Sequence, residues 1–246
     1  MAAALSLGGQ WLHTPTPNVP RTPDGKPDLA APPPKAADGH PLLSGVWAPN
    51  SRALQDLSVG VPNRDVPYQP WSAQVAKERA NGARGKDDPA ASCVPGMPKL
   101  IVLPYPYKIM QMPGVTVILY EGFTTFRQIF TDGRKLPADP SPAWQGYSVG
   151  RWEGDTLVID TAGFNDRGWL DARGTGHSED MRVEERFRRR DYGHLDLTIT
   201  VTDPKIFTQP IRFSVVEELL PDTDVFEHYC LENERDDRHF PGRAPR

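Results

Sequence analysis

The chain has 246 residues, 38% of them hydrophobic, with a formal net charge of −4 and a pI near 5.9. That length suffices for one domain with a sizeable core. The acidic balance lacks the basic face that phosphate binding needs, so no nucleic-acid partner is expected. No run approaches the ~18 apolar residues of a membrane span.

Residues 1–44 read as an extended N-terminal arm and 45–246 as the folded domain. Met1 to Gly9 is small and apolar without a basic n-region. Beyond it Pro, Asp and Gly dominate, with a weak repeat of Arg21-Thr-Pro-Asp-Gly-Lys-Pro-Asp-Leu29 against Lys35-Ala-Ala-Asp-Gly-His-Pro-Leu-Leu43. Each copy is an Asp-Gly turn followed by Pro, so the arm either wraps the domain, stays mobile or is exchanged between copies in a homo-oligomer. Leu43-Ser-Gly-Val-Trp47 then offers an apolar entry ending in Trp. Pro70 to Asn81 has the composition of a helix, with Pro in its first turn and Asn81-Gly82 to stop it. Trp71, Val75 and Arg79 share one of its faces, and it covers an opening or a flank of the fold. Leu100-Ile-Val-Leu103 could pair as an extra edge strand.

From Val115 on, eight strand-like runs follow at 115–121, 124–131, 147–153, 155–162, 182–190, 194–202, 211–218 and 223–231. Glu153-Gly154-Asp155 is a short reversal between two of them, making 150–164 a β-hairpin. Consecutive strands with short reversals predict an all-β antiparallel meander that curls into a barrel of about eight strands. Run 194–202 alternates cleanly, with Leu195, Leu197, Ile199 and Val201 on one face. Run 182–190 places Val183, Glu185, Phe187 and Arg189 inward and Arg182, Glu184, Arg186, Arg188 and Arg190 outward. Its basic cluster reads as a solvated face, paired by Glu184, Glu185 and Asp191 and by Asp196, Glu217 and Glu218 on later strands.

The Gly-x-Trp entry ending at Trp47 resembles the first strand of lipocalin-like (calycin) barrels, where the Trp plugs one end. Lys86-Asp-Asp-Pro89, Cys93 with Pro95-Gly-Met-Pro98, Tyr107-Lys-Ile-Met-Gln-Met-Pro-Gly114, Gly150-Arg-Trp-Glu-Gly-Asp-Thr-Leu-Val-Ile-Asp160 and Phe164-Asn-Asp166 resemble a widespread uncharacterised family of exported bacterial proteins. That resemblance spans nearly the whole chain. It implies export and a shared fold, and carries over no catalytic residue. Cys93 and Cys230 form either an arm-to-barrel disulfide or two buried thiols; the bridge is favoured and points to a periplasmic or secreted protein.

Signatures of serine hydrolases, phosphate loops, zinc sites and EF-hands are absent, and the six histidines show no ligand spacing, so neither metal nor cofactor is expected. Glu185 leads the catalytic candidates, because a carboxyl between Val183 and Phe187 would have its pKa raised into the range of proton transfer. Its competing reading is a buried ion pair with Arg151 or Arg189. His177, in the Gly-flanked connection Gly174 to Glu179, and His228, in the last run, are further proton carriers. Arg151 or Tyr147 would polarise a substrate oxygen. Trp152, Phe187, Tyr120, Phe126 and Trp169 would wall a cavity, with Asn165 on its rim. The reading is an enzyme that isomerises, eliminates, hydrates or cyclises a small hydrophobic or aromatic molecule inside the barrel; a carrier with the same cavity is the alternative.

Overall fold

Period-two alternation carries most of the architecture. The computed structural model describes residues 15–49, 56–80, 87–94, 96–103 and 105–228. Its strands are β1 Gly45–Pro49, β2 Tyr107–Met112, β3 Val115–Tyr120, β4 Thr125–Phe130, β5 Tyr147–Glu153, β6 Thr156–Ala162, β7 Arg182–Arg189, β8 His194–Thr202 and β9 Ile211–Leu219. They close in that order into a barrel. Neighbours pair antiparallel except β4 and β5, which run parallel through Ile129↔Ser148 and Phe130↔Val149. β1 closes on β9 with Trp47 opposite Leu219.

The all-β barrel is therefore present with nine strands in place of about eight. Seven expected runs are strands. Residues 223–228 of the eighth are not, and 229–231 lie outside the described residues. The turn at Pro221 and Asp222 diverts the chain, and its amides bond side chains instead of a ladder: Phe226 N–H to Glu121 and His228 N–H to Thr124. β1 takes that place beside β9. The Leu100 tetrad is a 3₁₀ turn, Lys99–Val102, with Leu100 and Ile101 buried, so it caps the core instead of extending the sheet.

The β5–β6 and β7–β8 turns mark one barrel end. Trp47 is buried there, its indole N–H donates to the Leu43 carbonyl, and the Arg189 guanidinium lies 5.0 Å over its ring. Arg189 also donates to the Leu42 and Tyr192 carbonyls, and burial brings its pKa down to about 10. The described arm lies on its own barrel: Leu29 and Ala31 carbonyls accept from Gly193 and Tyr192 N–H, and Arg21 pairs with Asp222.

At the opposite end, helix α1 (Pro70–Ala80) spans the mouth. Ser72 Oγ and Gln69 N–H donate to the Ile206 carbonyl, and the Trp71 indole donates to that of Lys205. The 163–181 connection packs beneath it, with Phe164, Leu170 and Met181 fully buried.

Gly146, just before β5, fixes the entry into the parallel pair. Its φ is +65°, and a Cβ there would meet the Ala162 carbonyl oxygen and Thr161 Cγ2, each at 2.8 Å. Gly146→Ala should destabilise the fold by about 2–3 kcal/mol, from left-handed strain plus the clash. A urea denaturation curve reads this directly; an unchanged midpoint would contradict it.

Candidate active site

Inside the barrel, Glu185 is 0% exposed between Val183 and Phe187, as the alternation of β7 requires. Its partner is Arg127 of β4, neither Arg151 nor Arg189. Arg127 donates Nη1 to Oε1 at 3.0 Å and Nη2 to Oε2, and donates further to Ser148 Oγ and Thr161 Oγ1. Burial opposes the guanidinium charge, but Glu185 and Tyr120 together more than offset it and raise the pKa. A carboxylate gripped by both prongs of an arginine is held as an ion pair, so Glu185 is a structural anchor and not the mobile proton carrier.

Arg151 faces outward, where it pairs with Glu153 and Asp160. Tyr147 is half-buried and its hydroxyl accepts from Arg134. Neither can polarise an oxygen in the interior. Phe126 is 61% exposed on the outer face. Trp152, half-buried, packs against the core on the inward parity of β5 and stacks on His40 of the arm at 4.5 Å. His228 lies in the loop after β9, its ring 5.0 Å from Tyr105. Phe187 and Tyr120 do face inward. Cys93 is not a free thiol, while Cys230 lies outside the described residues.

The structure brings His177 and Trp169 together at the mouth. A groove of about 450 Å³ opens between α1 and the 164–178 connection, walled by Trp71, Trp169 and Tyr68 with His177, Gly168 and Ser178 along its base. This size suits a small organic ligand. Trp71, Val75 and Arg79, the helix face read from sequence, all turn to it. Arg79 stacks on Trp169 at 5.2 Å and donates to the Gly174 carbonyl.

His177 is 6% exposed, and Nδ1 lies 3.2 Å from the Ser178 carbonyl oxygen. A carbonyl only accepts, so Nδ1 carries the proton and Nε2 keeps its lone pair. Burial lowers the pKa and keeps the ring neutral, while Asp203 and Asp166 work in the other direction. Nε2 rests against Gly168, where a Cβ would sit 2.3 Å away. Asp203 accepts from Ser178 N–H and Oγ–H, fixing the segment that holds the histidine. Asn165 is spent locally, accepting from Arg167 N–H in a turn.

Below the groove, Tyr68 Oη meets Thr175 Oγ1 at 2.6 Å, and Thr175 donates to buried Asp171. Asp171 also accepts from the Leu57, Arg173 and Thr175 amides, so it knits the connection to the chain before α1. Burial raises the Tyr68 pKa, leaving a neutral phenol facing the groove that holds neutral His177.

No family model, curated protein or solved structure matches this chain. The site therefore rests on its own geometry.

Sequence reasoning misses Tyr68 and Arg127 and misplaces Glu217 beside the outer arginines. Tyr68 sits in a Pro-rich loop without periodicity and carries no signal. Glu217 does carry one: Ile211, Phe213, Val215, Glu217 and Leu219 alternate as Val183, Glu185 and Phe187 do. It is 0% exposed, not paired with the outer arginines, and burial pushes its pKa up to about 8.

Proposed function

We propose that the protein is an exported enzyme that acts on a hydrophobic or aromatic small organic molecule by general acid/base chemistry, with His177 as the base. The observation that carries this reading is a buried neutral histidine on the wall of an aromatic groove of ligand size, with its unprotonated Nε2 against Gly168, which also lines the groove. Placing the chemistry at the mouth, not within the barrel, follows from Glu185 being locked to Arg127.

A planar or apolar substrate seated between Trp71 and Trp169 would present an acidic C–H or O–H to Nε2. The imidazolium formed is supported by Asp203 and Asp166, then returns the proton to a second atom of the same substrate or to a leaving group. One base suffices for isomerisation, elimination or cyclisation, and the Tyr68 hydroxyl, whose own proton goes to Thr175, is placed to accept a hydrogen bond from a substrate O–H. Export is supported by Cys93 not being a free thiol, which fits a bridge to Cys230.

His177→Gln should lower turnover by about 10²- to 10⁴-fold and leave ligand affinity within a few-fold. Trp169→Ala should weaken binding first. Because burial lowers the His177 pKa, the neutral base persists to lower pH than usual, so the acid limb of kcat/KM should fall below 6.5, the ordinary histidine value. Ligand binding unaltered by His177→Gln, with no turnover by either protein, would make this a carrier.

A further inference from the structure

The barrel end plugged by Trp47 holds a cation without an anion. Arg189 is 4% exposed, and its guanidinium lies between two aromatic faces, 5.0 Å from the centre of the Trp47 ring and 4.8 Å from that of Tyr192. Nε and Nη2 donate to the Tyr192 carbonyl and Nη1 to that of Leu42. A guanidinium carries five N–H donors, and these bonds engage three of them. No carboxylate among the described residues pairs with it. Asp191 acts on it through space, but that carboxylate is bonded to His194 Nδ1 and Gly193 N–H. Burial brings the Arg189 pKa only to about 10, so the group is still charged at neutral pH. Carbonyl dipoles and ring faces offset part of the cost of burying a full charge, and a counter-ion offsets more.

There is room for one. Arg189 lines a cavity of about 340 Å³ between the barrel and the arm, walled by Val46, Leu219 and Leu220 on one side and by Pro15, Pro17 and Val19 on the other. The other charged side chains lining it are Lys108 and Asp224, which neutralise each other, Nζ donating to both carboxylate oxygens. The cavity is therefore mostly apolar with one uncompensated positive charge. We propose that it binds a small apolar monocarboxylate, with the carboxylate on Arg189 and the hydrocarbon part against Val19, Val46 and Leu219. A planar carboxylate matches the planar guanidinium and accepts its remaining N–H groups. A neutral ligand would leave the charge unmet, and a dianion would add a buried charge with no partner. Because arm and barrel each supply a wall, the occupant also holds the arm in place. The site is at the end opposite the mouth groove and shares no lining residue with it, so it stands or falls independently of His177.

Titration calorimetry of the full chain with benzoate at pH 7 tests this, with benzamide as the uncharged isostere. The expected result is saturable benzoate binding, with benzamide at least about tenfold weaker. Arg189→Gln should lose about a hundredfold in affinity for benzoate. Leu220→Trp fills the cavity without removing any Arg189 donor and should lose at least about tenfold; it keeps the test decisive if Arg189→Gln does not fold. Trp71→Ala at the mouth should change nothing. No benzoate binding by the wild type, equal binding of benzamide, or undiminished binding by an Arg189→Gln or Leu220→Trp protein with native circular dichroism would each overturn the site. Loss through Trp71→Ala instead would assign benzoate to the mouth groove and also overturn it.

Discussion

Replacing Arg127 by methionine should cost about 3–5 kcal/mol of folding free energy. The mutation strips Glu185 of both N–H donors that engage it and leaves a fully buried carboxyl unpaired; it also frees Ser148 and Thr161 to bond only each other. The double variant Arg127→Met/Glu185→Leu should recover most of that loss, because removing both charges also removes their desolvation cost. Urea denaturation of the two single variants and the double completes the cycle. A small loss in Arg127→Met, under about 1 kcal/mol, would mean that the pair is not the anchor described.

Glu217→Gln should have the opposite effect, and only on the alkaline side. In the folded protein the carboxyl holds its proton to about pH 8, against an ordinary value of 4.5. Between those values the folded state binds a proton that the unfolded state has released, so stability is fully present below the unfolded pKa and falls as pH rises through this window. The fall amounts to about 3–5 kcal/mol at most. Glutamine keeps the shape without the titration, so the variant should match the wild type at pH 4 and exceed it at pH 8.5. Denaturation curves at those two pH values give the comparison. Equal stability loss in both proteins would place the pH dependence elsewhere.

The barrel is legible in the sequence because its strands keep one face apolar. Runs such as 194–202 and 182–190 fix their own inward residues, and Glu185 is found by that rule alone. The partner of Glu185 is not, since Arg127 lies in a run where exposed Phe126 and buried Arg127 invert the usual assignment of faces. β1 is only five residues long and is signalled by the Gly-x-Trp entry alone, while β2 opens after Pro104-Tyr-Pro106 and does not announce a strand; it is defined by what it pairs with. The parallel contact of β4 with β5 depends on the 131–146 crossing, which has no periodic pattern. The mouth groove shows the same division. His177 and Trp169 can be named from a Gly-flanked loop rich in polar residues, whereas Tyr68 joins them through the hydrogen bond to Thr175, 107 residues away in sequence. Arg151, Tyr147 and His228 are misplaced by sequence alone because strand parity near a run's end, or a run that does not pair, assigns the wrong environment.

The central claim is that His177 moves protons on a small organic molecule. Purified protein would be incubated in D₂O with a metabolite extract of its host, and high-resolution mass spectra compared with those from His177→Gln. The account predicts at least one hydrophobic or aromatic compound consumed or formed with the wild type and not with the variant, gaining one mass unit at carbon where the proton delivered to carbon has exchanged with solvent. Spectra of the extract identical for the two proteins, in both composition and labelling, would contradict it.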